Sequence, residues 1–221
     1  MMNPVRTAFQ SCKPIFGALV ALLVGILCAG AETPMDQAQQ LPMQAAGIGP
    51  SMDVAIEGGF LYIIGRQQLQ IADLSNPAKP RVVGQIGGLG GVRQIAVKDK
   101  TAYITSREDG LFIIDVHQPD KPRILCHYDT AGLATGIELT GHIAMIASTH
   151  TGVELVDVSD PGHPVHLSSV RTGEAQSVVA RNGWMYVGVW ASSELVICDI
   201  HNPRQPVIAA RVDLDGYGDG L

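Results

Sequence analysis

An eight-residue phrase of the form Asp-x-x-x-Pro-x-x-Pro occurs four times, each copy 42 residues after the last. The copies are anchored by Asp73, Pro77 and Pro80; Asp115, Pro119 and Pro122; Asp157, Pro161 and Pro164; and Asp199, Pro203 and Pro206. A strict period of this length means that one structural unit is built four times. A unit of roughly 40 to 45 residues cannot bury its apolar surface alone and must stack on its neighbours.

Within each period the apolar residues run in short bursts with strand character. The second unit shows this best, with bursts at 94–97, 102–105, 111–114 and 123–126. Turn residues separate them: Lys98-Asp99-Lys100, then Glu108-Asp109-Gly110, then the proline phrase. Bursts apolar on both faces suit strands sandwiched between sheets, and nothing in the chain supports helices. The expected fold class is therefore all-β: a β-propeller of four-stranded blades with four repeats present and an incomplete ring. The units span about 51–88, 89–131, 132–173 and 174–215. The four Asp residues are expected to accept hydrogen bonds from turn amides, while the prolines fix φ and keep the loop out of the sheets.

The residues just before each phrase are Leu69-Gln70-Ile71-Ala72-Asp73, Leu111-Phe112-Ile113-Ile114-Asp115, Val153-Glu154-Leu155-Val156-Asp157 and Leu195-Val196-Ile197-Cys198-Asp199. This pattern resembles the core of the LVIVD repeat family over residues 51 to about 212. The resemblance implies a bacterial or archaeal exported or surface propeller, a class largely of unknown activity, and it carries no catalytic residues. The last residues, 216–221, correspond to the start of a fifth blade. A fragment of a longer six- or seven-bladed protein is the expectation, with a four-bladed ring or closure by oligomerisation as alternatives.

The first 31 residues carry Arg6 and Lys13, no acid, and an apolar stretch over 15–28 followed by Ala29-Gly30-Ala31. This is the pattern of a secretory signal peptide cleaved after Ala31. A lipidated Cys28 and an uncleaved anchor are the competing readings, and all three place the repeats outside the cytoplasm, at the cell surface, secreted or periplasmic. Residues 32–50 read as a flexible linker. Of the 15 Lys and Arg, 13 remain beyond residue 31 against all 21 Asp and Glu, a mature charge of −8. That balance excludes nucleic acid as a partner and disfavours anionic membranes. Cys126 and Cys198 fall on different strands two blades apart and are expected to be free thiols.

The loops between second and third strands should share one face with the blade-to-blade connections, and binding residues are sought there. The former are Arg66-Gln67-Gln68, Arg107-Glu108-Asp109, Thr149-His150-Thr151 and Trp190-Ala191-Ser192-Ser193; the latter bring Arg93, Gln94, Thr135, Gln176 and Ser177. The candidate binding set is Arg93, Gln94, Arg107, Glu108, Asp109, Thr135, His150, Gln176 and Trp190. Their chemistry varies from blade to blade, as a recognition surface requires and as drifting exposed loops also allow. Trp190 reads either as a stacking anchor for a sugar or protein or as packing against an adjacent blade.

No metal is expected. His163 and His166 are spaced to meet one ion only if the strand end bends, and His117 and His201 share one repeat position in loops on the opposite face. Calcium at Asp213, Asp215 and Asp219 is the weak alternative, since Tyr217 breaks the loop pattern. No nucleophile with base, paired carboxylates or Cys-x-x-Cys spacing is present, and Gly87-Gly88-Leu89-Gly90-Gly91 leads into no helix that would cradle phosphate. The function expected is a binding or assembly module for protein or glycan. The alternative is an enzyme whose channel site is completed by further blades.

Overall fold

The computed structural model describes residues 47–216 and residue 218. The leader and the linker up to residue 46 lie outside the described residues, as do Tyr217, Asp219, Gly220 and Leu221. The first sheet is β1 (Asp53–Glu57), β2 (Phe60–Gly65), β3 (Gln68–Asp73) and β4 (Arg81–Gly87). The second is β5 (Val92–Lys98), β6 (Thr101–Ser106), β7 (Gly110–Asp115) and β8 (Arg123–Tyr128). The third is β9 (Ala134–Thr140), β10 (Ile143–Ser148), β11 (Gly152–Asp157) and β12 (Val165–Val170). The fourth is β13 (Ala175–Arg181), β14 (Trp184–Val189), β15 (Glu194–Asp199) and β16 (Val207–Asp213). Each sheet is an antiparallel meander in chain order, and no helix occurs among the described residues.

The four bursts expected in the second unit fall inside β5 to β8. The inner strands β1, β5, β9 and β13 pack side by side in that order, with β1 and β13 at the ends of the row. The sheets are therefore blades of a propeller whose ring is not closed.

Three apolar seams hold the blades together. Tyr62, Leu69 and Ile71 meet Ile95, Ile104 and Phe112 in the first. Tyr103, Leu111 and Ile113 meet Ile137, Ile146 and Val156 in the second. Met145, Val153 and Leu155 meet Val178, Val187 and Val196 in the third. Each blade sends one face of its second and third strands forward and the other back, which explains their continuous burial. Ile71, Ile113 and Leu155 occupy equivalent positions and are 0% exposed. Their counterpart Ile197, on the forward face of the last blade, is only half-buried, as are Leu195 and Tyr186. At the other end Val54 and Ile56 are 49% and 69% exposed.

Polar contacts repeat with the blades. The amides of Ser75, His117, Ser159 and His201 donate to Oδ1 of Asp73, Asp115, Asp157 and Asp199 at 2.7, 2.9, 2.9 and 2.9 Å. The turn that follows closes through Lys79, Lys121, His163 and Gln205 N–H donating to the carbonyls of Asn76, Gln118, Asp160 and Asn202. Between blades, Ile95 N–H donates to Asp53 Oδ2 at 2.9 Å and Ile137 N–H to Gln94 Oε1 at 2.6 Å. Asp99 and Lys100 N–H donate to the Glu57 carboxylate at 2.8 and 3.0 Å. Cys126 and Cys198 are both free, as expected; Cys198 is buried and Cys126 half-buried.

Candidate functional site

The hairpins joining second to third strands do share a face with the blade connections, because their backbones are bonded together. Leu89 N–H donates to Gln67 C=O, Ala134 N–H to Arg107 C=O, Thr149 N–H to Leu133 C=O and Trp190 N–H to Glu174 C=O. The hairpins are two, three, three and four residues long in chain order, from Arg66-Gln67 to Trp190-Ala191-Ser192-Ser193. In the shortest, Arg66 and Gln67 both take positive φ, 47° and 64°, the left-handed pair that a two-residue hairpin requires.

Where the inner strands reach this face they enclose a cavity of about 530 Å³. Arg93, Gln94, Thr135 and Gln176 contribute from the inner strands, and Arg107 and Trp190 from the hairpins. Six of the nine candidate residues are thus brought together. Met52, Asp53 and Ser177 complete the wall. A second cavity of about 270 Å³ adjoins it, sharing Met52, Arg93 and Arg107 and adding Arg66.

The remaining three candidates lie elsewhere on the face. Asp109 Oδ2 accepts from Ser106 Oγ at 3.1 Å, His150 Nδ1 lies 3.0 Å from Thr149 Oγ1, and Glu108 is exposed. Met52 and Asp53 were missed in the sequence because β1 opens the first unit with no preceding blade to set its register. The signal for Asp53 is its alignment with Gln94 at the start of the inner strand.

Inside the cavity the groups differ in freedom. Gln94 gives its carbonyl oxygen to Ile137, so its NH2 is what it has left to donate. Thr135 Oγ1 lies 3.1 and 3.0 Å from the carbonyls of Ala147 and Ala175 and is committed to the frame. Arg93 and Arg107 form no ion pair or side-chain hydrogen bond with another described residue. Trp190 is 44% exposed. Its exposure leaves indole surface for a ligand while the rest packs on the protein.

On the opposite face His117 and His201 lie 2.8 and 2.7 Å from their own Asp115 and Asp199. His163 faces Asp160 and His166 faces Ser169, so the two imidazoles have separate partners. Among the described residues no three His, Cys, Asp or Glu side chains are placed to hold a metal ion. Asp219 of the acidic terminal stretch lies outside the described residues. Asp115 is held at about 2 by the His117 amide and by Arg123. Burial pushes Tyr128 up to about 12, aided by Glu154, and Cys198 up to about 11. None of these groups opens into the cavity, so they are features of the frame.

Comparison with known proteins agrees with this geometry. Two computationally designed proteins are similar in fold. The crystal structure titled Ika4 aligns with a TM-score of 0.55 at 8% identity, over 67% of this chain and 89% of that one. The one titled Ika8 aligns with a TM-score of 0.58 at 10% identity, over 76% of this chain and 50% of that one. At such identity the likeness concerns the fold alone. No curated protein matches in sequence. The LVIVD repeat model matches residues 48–86, 89–130, 131–172 and 172–214, four copies coincident with the four blades. The chain belongs to the LVIVD-repeat family.

Proposed function

We propose that this protein is an exported binding module that captures a protein or glycan at the hairpin face, with the cavity between Arg93, Gln176 and Trp190 as the contact site. The carrying observation is the contrast between a frame whose Asp-to-turn bonds recur in all four blades and a cavity wall to which the blades give different side chains. Arg93, Thr135 and Gln176 stand at one repeat position, and Arg107 and Trp190 project from hairpins of different length. A uniform frame with a varied wall is the arrangement of a recognition surface.

An enzyme would gather acids and bases. Here the wall among the described residues holds one carboxylate, Asp53, and it already serves the Ile95 amide. Export rests on the charged and apolar pattern of residues 1–31. The half-buried Leu195 and Ile197 and the exposed Val54 and Ile56 support completion of the ring by further blades or by a second copy.

The test is capture of cell-envelope material by the immobilised mature chain. Replacing Trp190 and Arg107 together with Ala should abolish capture and leave the Tm unchanged. Replacing Lys79 and Arg204, exposed on the opposite face, should do nothing. Undiminished capture by the Trp190/Arg107 variant would overturn the choice of face.

A further inference from the structure

We propose that the cavity is an anion site that takes the carboxylates of an acidic oligosaccharide, a chain containing uronic-acid units. This rests on the binding reading above and gives it a ligand class.

The charges around the cavity run against those of the molecule. The chain carries a net charge of −6, yet Arg66, Arg93 and Arg107 converge on two adjoining cavities. None of the three has an ion pair or side-chain hydrogen bond with another described residue. The arginines of the outer strands behave differently: Arg81, Arg123 and Arg211 lie 3.8, 2.9 and 3.0 Å from Asp73, Asp115 and Glu194. A guanidinium without an internal partner presents its planar fork of donors outward, and that fork fits a carboxylate in two parallel hydrogen bonds.

The nearest acids are not paired with the arginines: Asp53 accepts from the Ile95 amide, Asp109 from Ser106, and Glu108 is exposed on its hairpin. The neutral groups point to the same ligand. Gln94 retains its NH2 as a donor, and Gln176 adds a second amide, so the wall is rich in donors. Such a wall suits a ligand rich in acceptors, and the exposed indole of Trp190 offers a surface for the apolar face of a pyranose ring. The apolar side chains of a peptide would call for apolar pockets. The larger cavity offers only Met52 and Trp190 as apolar walls.

The experiment is calorimetric titration of the mature chain with short oligogalacturonate and oligomannuronate, beside their methyl-esterified forms, a poly-glutamate peptide and inorganic phosphate. The expected result is binding of at least one uronate that weakens as salt rises, with little or no binding of its ester. Arg93→Gln combined with Arg107→Gln should lower affinity at least tenfold. Lys79→Gln combined with Arg204→Gln makes the same change in net charge on the opposite face and should leave affinity unchanged. Binding of ester and acid alike would overturn the proposal, as would equal loss in the two double variants. Tighter binding of poly-glutamate, phosphate binding at the same strength, or no binding of either uronate would also overturn it. In those cases the binding reading still stands or falls separately on envelope capture by the Trp190/Arg107 variant.

Discussion

In each of the first two blades one carboxylate performs two tasks at the residue scale. Asp115 accepts the His117 amide and also faces Arg123 at 2.9 Å, closing the turn and tying it to the outer strand. Asp73 does the same with Ser75 and Arg81. These bonds favour the ionised form, so Asp73, Asp157 and Asp199 titrate below their ordinary value, and Asp115 falls from 3.8 to about 2. A depressed folded-state value contributes stability that is full above the unfolded value and lost as pH falls through the folded one. Thermal stability should therefore be level above about pH 5 and decline between about pH 4 and pH 2. Asp115→Asn should flatten part of that decline. Asp115→Ala should cost about 1 kcal/mol at neutral pH, read by urea unfolding, because a turn amide loses its acceptor in a largely solvated setting. The Asp and Pro positions were legible in the sequence because turn chemistry is local. Asp53 was not, because its partner Ile95 lies 42 residues away in the next blade.

At the scale of the strand, burial follows the repeat register more than residue type. Leu155 and Ile197 are equivalent, yet Leu155 is sealed against the fourth blade and Ile197 is half-buried. Leu155→Ala should cost about 3 kcal/mol, the combined loss of transfer free energy and a cavity. Ile197→Ala should cost about 1 kcal/mol, since the site can collapse toward solvent. Comparable costs, measured by chemical denaturation, would show that Ile197 is covered by something beyond the described blades. Another register effect sits on the outer strands. Gly84 and Ser168 abut the carbonyls of Pro119 and Pro203 in the next blade. The four equivalent positions are Gly84, Cys126, Ser168 and Ala210, all small. This run was visible in the sequence but had no meaning until the seam between blades was seen. Gly84→Ala would drive a Cβ into the Pro119 carbonyl and should cost about 1 to 3 kcal/mol. The blade strands themselves were readable beforehand, since their apolar bursts and turns recur four times and each copy supports the others.

For the molecule as a whole, the two uncovered ends are complementary by construction, since each of the three forward faces buried among the described residues is met by a backward face of the same design. At high concentration the mature chain should self-associate, and Ile56→Lys, at a position 69% exposed on the other uncovered end, should weaken that association in sedimentation velocity without lowering the Tm. An unchanged sedimentation coefficient across concentrations would count against it. The wall of the cavity could not be assembled from the sequence alone, because only the folded register shows that Arg107 and Trp190, each the first residue of its hairpin, reach the cavity, while His150, the second residue of a hairpin as long as that of Arg107, does not. Side-chain bonds to an amide of the next inner strand run from Asp53 to Ile95 and from Gln94 to Ile137, whereas between the third and fourth blades the Thr135 hydroxyl bonds the Ala175 carbonyl instead. The next position is Gly136, which has no side chain to offer the Val178 amide. The seams are therefore fastened by different chemistry. In amide hydrogen exchange the Val178 proton, which no described side chain of the preceding blade accepts, should be lost sooner than those of Ile95 and Ile137.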